Sequence, residues 1–378
     1  MRRLLTYLTA LGLVSASLAV GVFTADLPFW RRALELPLPT GTLYLPAVEI
    51  GVAASSVPVE EVAGAAVGTA ALEAIVADAR DSGSRALLVM RQGRLVLARY
   101  FGADDDQTLM PAGVIARPVA AMALGLALAD QRVAALDDEV SRYLPEWDDE
   151  DRGRITVRQL LEETSGLETG GDIHGMLRHP PWSEPRKLAD FGTSRGLRLV
   201  MGNDFERTAL GFRLRHEPGG FHNHSPANAQ LIAVILERTT GLAYERYLEQ
   251  RLWRPMDGGQ ARLALDRRAG MPVAHCCWLA TAPAMARLAS LLATDGVDRS
   301  QRILPEGWVQ QMTSPSRVSA ETAMQLARLR IGGLPALTAA EGGNAFWVIP
   351  EKQLVILNIV NPEGTSSPQL PAQLARLF

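Results

Sequence analysis

The chain predicts an α+β fold in which an antiparallel sheet, drawn from both ends of the sequence and flanked by helices, encloses a mostly helical insertion. Two observations point there. Strand-like runs occur near residues 85–101 and again at 344–360, while the stretch between them reads largely as helix and loop. Strands gathered at the ends, rather than alternating with helices, favour a segregated α+β architecture over a doubly wound one. Composition supplies a third: 47% of the 378 residues are apolar and only 21% are charged, enough for one large core. A net charge of −3 with no block of Lys and Arg argues against nucleic acid as a partner.

The elements follow in order. Arg2 and Arg3 precede an apolar run from Leu4 to Phe23, long enough to cross a bilayer as a helix. Residues 1–25 therefore read as a transmembrane or signal helix, with Ser15-Ala16-Ser17-Leu18-Ala19 as the cleavage region if it is removed. The run continues past Ala19, which favours an uncleaved anchor. The arginines would stay on the cytoplasmic side and the rest of the chain would cross. Residues 26–69 form a lead-in interrupted by Pro28, Pro37, Pro39, Pro46 and Pro58, too broken for one helix, and read as extended.

Residues 70–378 form the main domain, with a sheet part near 70–110 and 280–378 and a helical part near 111–279. A helix is expected over 70–79. A hairpin follows, 85–90 returning at 94–101 around Gly93. Val114 to Ala129 is apolar almost all round, as a buried central helix must be, with Pro118 expected in its first turn. Further helices are expected at 156–163, 227–238, 244–252 and 283–293, the last capped at Thr281. Strands return at 344–349 and 354–360 about a Pro350-Glu351-Lys352 turn, and a helix over 371–377 closes the domain.

The only cysteines, Cys276 and Cys277, are adjacent, so no disulfide framework is available. A vicinal disulfide is an alternative to two small buried thiols, and the thiols are the favoured reading.

Two stretches carry a resemblance. One is Leu136-Asp137-Asp138-Glu139-Val140-Ser141-Arg142-Tyr143-Leu144-Pro145-Glu146. The other runs from Ile155-Thr156-Val157-Arg158-Gln159-Leu160-Leu161 to Thr164-Ser165-Gly166-Leu167. In this order and spacing they resemble the class C β-lactamase-related and penicillin-binding-protein-like serine hydrolases. Leu231 to Gly241, Leu252-Trp253-Arg254-Pro255-Met256, Leu265-Asp266-Arg267, Cys276 to Ala282 and Ile303-Leu304-Pro305 extend the likeness. Within the family they look closest to the 6-aminohexanoate-dimer hydrolase branch. The resemblance covers about residues 80–378 and implies a β-lactamase/transpeptidase-like fold.

It also implies where the chemistry belongs. Such enzymes carry a nucleophilic serine three residues before a lysine on the first turn of a buried helix, one face presenting both. Counting back from Gly125 puts this pair on Val114 and Arg117. Valine has no atom that attacks a carbonyl, and arginine keeps its proton at any working pH. No serine lies between Ser84 and Ser141, so a shifted register does not recover the motif. The family's second motif, a tyrosine-containing triplet, maps to His224-Ser225-Pro226. The third, which carries lysine or histidine on a strand, maps to Leu334–Asn344, with Glu341 as the equivalent of the basic residue.

With Val114, Arg117, His224, Pro226 and Glu341 at the motif positions, no catalytic residue is expected. Val114, Arg117, His222, His224, Ser225 and Glu341 are expected to line the old pocket, with Arg117 and Glu341 paired across it. His222-Asn223-His224, with His216 and Glu217 nearby, has two-histidine spacing but no third ligand in sequence, so a polar loop and no metal or cofactor is expected. Ser165 is expected to be structural. The acidic runs 104–106 and 148–151 read as solvated loops.

The functional expectation is a membrane-tethered pseudo-hydrolase, its domain in the bacterial periplasm, binding a peptide, a cell-wall fragment or an intact paralogue. The alternative is an active amide or ester hydrolase in which His224 activates water.

Overall fold

The computed structural model describes residues 26–36, 45–52, 59–60, 69–148, 150–178, 180, 182 and 184–378. The anticipated N-terminal transmembrane or signal helix lies outside these residues. No helix among the described residues is long and apolar enough to cross a membrane.

The main sheet has seven strands, all paired antiparallel. Their order is Arg94–Tyr100, Ser84–Arg91, Leu354–Val360, Asn344–Ile349, Leu334–Glu341, Leu326–Ile331 and Thr322–Ala323. Both ends of the chain thus meet in mid-sheet, where Leu88 lies opposite Leu357. Alternation along a strand explains why Ser84–Arg91 reads as an unbroken apolar run. Leu87 and Val89 join one core cluster, while Ala86, Leu88 and Met90 join the other, so the strand is buried on both faces. The first cluster is closed by Leu72 and Val76 of the Ala70–Asp81 helix and by Leu370 and Leu374 of the Leu370–Leu377 helix. The second lies beneath the Gly113–Ala129 and Ala282–Ala293 helices. The result is a helix–sheet–helix body with the helical insertion at one side.

Local chemistry sets the element ends. Thr69 starts the 70–81 helix by accepting from Leu72 N. Thr156 and Gln159 form a reciprocal capping box that opens a helix of only five residues, Val157–Leu161, two residues shorter at its end than the sequence suggested. Gly241 ends the Pro226–Thr240 helix in the left-handed conformation that glycine adopts without steric cost. Thr281 occupies the cap position of the Ala282–Ala293 helix, but its hydroxyl makes no capping bond.

Several expectations need correction. Pro118 stands in the second turn of the central helix, not the first. Its ring replaces the N–H that would bond the Val114 carbonyl, and the buried apolar packing of the whole helix tolerates that loss. The anticipated 244–252 helix is α-helical only over Tyr244–Leu248 and widens into a π turn over Glu249–Trp253. The lead-in is not merely extended. It contains the helix Leu27–Ala33 and the strand Ala47–Ile50, which enters a second, four-stranded sheet ordered Ala47–Ile50, Ala261–Ala264, Trp278–Thr281 and Leu109–Pro111. Finally, Cys276 and Cys277 are joined as a vicinal disulfide rather than held as two thiols.

Candidate functional site

The site is assembled at the N-terminal end of the central helix. The second sheet fixes that end: Leu109–Pro111 pairs with the Trp278–Thr281 strand, and Ala112 N donates to Trp278 O at 2.8 Å. Gly113 and Val114 follow in the first turn, with Val114 2% exposed. Arg117, three residues on, shares their face of the helix.

Opposite the helix stands a residue that sequence reasoning did not single out, Glu163. It follows the Val157–Leu161 helix at φ 56°, a left-handed backbone position where glycine is usual. This local cost turns its carboxylate inward, where it is buried and central to a cluster. Oε1 lies 3.4 Å from Arg117 Nη1 and 2.7 Å from His224 Nδ1, and Oε2 lies 3.4 Å from His222 Nε2. Asn223 N also donates to the Glu163 carbonyl at 2.7 Å, so the histidine loop is held by backbone and side chain together.

Burial alone would raise the Glu163 carboxyl. The Arg117 guanidinium and the hydrogen bonds from His222 and His224 outweigh it and hold the group well below the usual carboxylate range. With Glu163 ionised, His224 Nδ1 donates to it, and in the neutral tautomer that this bond selects the lone pair is on Nε2. Arg117 Nη1 sits 3.3 Å from the same Nδ1, two donors brought together by their common acceptor.

The third mapped position also arrives here. The Glu341 carboxylate lies so close to Gly113 that a side chain on Gly113 would collide with it. An acid at a helix N-terminus is favourably placed against the macrodipole, and this helix has no side-chain cap of its own. The expected Arg117–Glu341 ion pair is not formed; Arg117 turns to Glu163 instead. The reason is positional: Glu341 reaches the first residue of the helix, whereas Arg117 points from its second turn toward the 163 and 222–224 segments.

The remaining candidates fall into place around this. Pro226 is the first residue of the Pro226–Thr240 helix, where a missing N–H costs nothing. Ser225 is 1% exposed and donates to Glu168 O at 2.7 Å. His216 stays apart from the cluster, its ring 4.6 Å from that of Phe221. Ser165 is fully buried, its hydroxyl 2.6 Å from Asn228 Oδ1. Among the described residues no group of three or more His, Cys, Asp or Glu could hold a metal ion. The acidic run at 104–106 is partly engaged, with Asp104 paired to Arg85 at 2.7 Å. A cleft of about 670 Å³ lies elsewhere, on the outer strands beside Arg328, Arg330 and Glu321.

Thus the structure brings Arg117, His222, His224 and Glu163 into one cluster and sets Val114 and Glu341 beside it on the helix start. A pair of residues in the sequence could have flagged Glu163: two adjacent acids, Glu162-Glu163, stand directly between the apolar Leu160-Leu161 and the Thr164-Ser165-Gly166 turn.

The fold is that of penicillin-binding proteins and β-lactamase-type hydrolases. Similar solved structures include a putative 6-aminohexanoate-dimer hydrolase from Bacillus anthracis, with a TM-score of 0.69 at 16% identity, covering 91% of this chain and 92% of that one. The penicillin-binding protein homologue from Pyrococcus abyssi gives a TM-score of 0.60 at 18% identity, covering 81% of this chain and 76% of that one.

The chain belongs to the Beta-lactamase family, whose profile matches residues 71–377. Among curated relatives, protein flp of Staphylococcus aureus strain COL is 27% identical over 180 residues, 45% of this chain and 32% of that protein. The 6-aminohexanoate-dimer hydrolase of Paenarthrobacter ureafaciens is 26% identical over 245 residues, 63% of this chain and 59% of that protein. The match therefore spans about a third of the first relative's length and less than two thirds of the second's.

Proposed function

We propose that this chain is a membrane-tethered member of the family that binds a peptide or cell-wall fragment, or an intact paralogue, without forming an acyl-serine. One observation carries the reading: at the start of the central helix stands Val114, buried and without a nucleophilic atom, followed by Arg117 neutralised by Glu163. The Glu341 carboxylate on Gly113 supports it, since it puts negative charge where a substrate carboxylate would otherwise approach. The tether rests on the apolar run Leu4–Phe23.

The test is covalent labelling of the full chain with a fluorophosphonate or a fluorescent penicillin. No adduct is expected, and an adduct on any serine overturns the reading. The variant carrying both Val114→Ser and Arg117→Lys restores the family pair and is expected to gain labelling. A folded double variant that stays unlabelled would mean that the surrounding geometry no longer supports acylation.

A second reading has its own observation. Glu163 orients His224 through Nδ1 at 2.7 Å, and in the neutral ring Nε2 would take a proton from water, as an acid–histidine pair does in hydrolases. It predicts slow ester hydrolysis that is lost in His224→Ala while serine probes remain unreactive.

A further inference from the structure

We propose that the outer face of the Leu27–Ala33 helix rests on the lipid surface that the N-terminal apolar run enters. The proposal deepens the tethered reading above, since it takes Leu4–Phe23 as a membrane segment, and adds which side of the domain meets the bilayer.

The inner face of this short helix is bound firmly. Phe29 and Ala33 are fully buried and Trp30 nearly so. The Phe29 and Trp30 rings lie 6.0 and 6.3 Å from that of Phe191. Arg32 donates to the Met201 carbonyl at 2.8 Å, to the Asp266 carbonyl at 2.7 Å and to the Gly202 carbonyl. Asp26, the residue before the helix, is ion-paired with Arg198, whose guanidinium also stacks 4.7 Å over Phe29. Aromatic packing, three carbonyl contacts and an ion pair all hold the helix on the helical part of the domain.

The opposite face is apolar and open. Leu27, Arg31 and Leu34, spaced i, i+4 and i+7, all point outward, with Leu27 63% and Leu34 70% exposed. Two of the exposed large apolar side chains, Leu27 and Leu34, therefore share the open face of the helix that follows the N-terminal run. Leucines flanking an arginine suit the membrane–water boundary, where the stem of the basic side chain stays apolar and its head reaches water.

Chain length decides the occupant. Only Thr24 and Ala25 separate Phe23 from the anchored Asp26. Three residue steps reach at most about 11 Å, and the interfacial layer on each side of a bilayer is roughly 5–7 Å thick. A helix pinned that close to the end of a spanning run has little room to stand clear of the lipid. Arg31 sits on this face and Glu35 at its margin, so the contact is mainly apolar and is expected to depend little on lipid charge.

The experiment uses the full chain reconstituted in phosphatidylcholine vesicles. A single fluorophore is attached under non-reducing conditions through Leu34→Cys, Leu13→Cys or, as a control on an exposed hairpin outside the patch, Gln301→Cys. Nitroxide-labelled lipid is the quencher. The expected result is strong quenching at positions 13 and 34, with position 34 quenched at least roughly twofold more than position 301. Quenching at 13 without 34 leaves the tether standing and overturns the docking surface. Quenching at neither overturns the tether and the docking surface with it. Protection of position 34 that rises with protein density assigns the face to a second copy and also overturns the proposal.

Discussion

Glu163 and Ser165 are two residues apart, yet they belong to different regimes of the molecule. Ser165 is part of the frame: wholly buried, neutral, and satisfied by one side-chain partner, Asn228. Glu163 is part of the site: equally hidden, but charged, and satisfied only by a crowd of donors, Arg117, His222 and His224. The frame residue carries no charge, whereas the site residue closes its charge on the donors around it. A buried carboxylate needs compensation that a buried hydroxyl does not. For Glu163 that compensation comes from Arg117, His222 and His224 together.

The contrast sets an order of expected effects. Glu163→Leu strands Arg117 and is expected to cost about 3–5 kcal/mol in urea unfolding. Adding Arg117→Met should restore most of that loss; a double variant as unstable as the single one would break the claim that the pair is self-compensating. Gly113→Ala drives a methyl group into the Glu341 carboxylate and is expected to cost about 2 kcal/mol. Glu341→Ala in the same chain should relieve the collision, which thermal melts of the two variants would resolve. Ser165→Ala leaves Asn228 Oδ1 without this buried partner, for about 1.5 kcal/mol. If Ser165→Ala proved more damaging than Glu163→Leu, the division into frame and site would be the wrong way round.

The smallest effect is one of pH. Glu163 has its carboxyl lowered on folding, so its contribution is fully present above the ordinary value of 4.5 and is lost as the pH falls below it. Melting temperature measured downward from pH 5 should fall more steeply in the native chain than in Glu163→Gln.

Much of the frame was legible because its signals are local. The 84–100 hairpin, the apolar 113–129 helix and the two late strands each carry their pattern within 17 residues or fewer. The second sheet was not, since Ala47–Ile50 pairs with Ala261–Ala264 across most of the chain and neither strand is long enough to announce itself. In the site, the mapped positions did converge, but the partnership could not be read. The sequence pointed Arg117 to Glu341, and only the folded backbone brings Glu163 to it instead. Glu163 escaped notice because its inward aim comes from a left-handed backbone angle, which sequence predicts poorly outside glycine. The cysteines were misjudged for a related reason. Cys277 also adopts positive φ, 64°, beside the sulfur it bonds.

The sheet that joins both ends of the chain has a kinetic consequence. The 84–100 hairpin can form early, but its inner neighbour, Leu354–Val360, follows about 250 residues later in the chain. Until that strand arrives, one long edge of Ser84–Arg91 has no partner, with apolar side chains on both of its faces. High contact order makes such closure slow. The assembly is exposed to mispairing and aggregation during that wait, so a folding helper that shields the hairpin edge would raise yield far more than one that stabilises the finished domain.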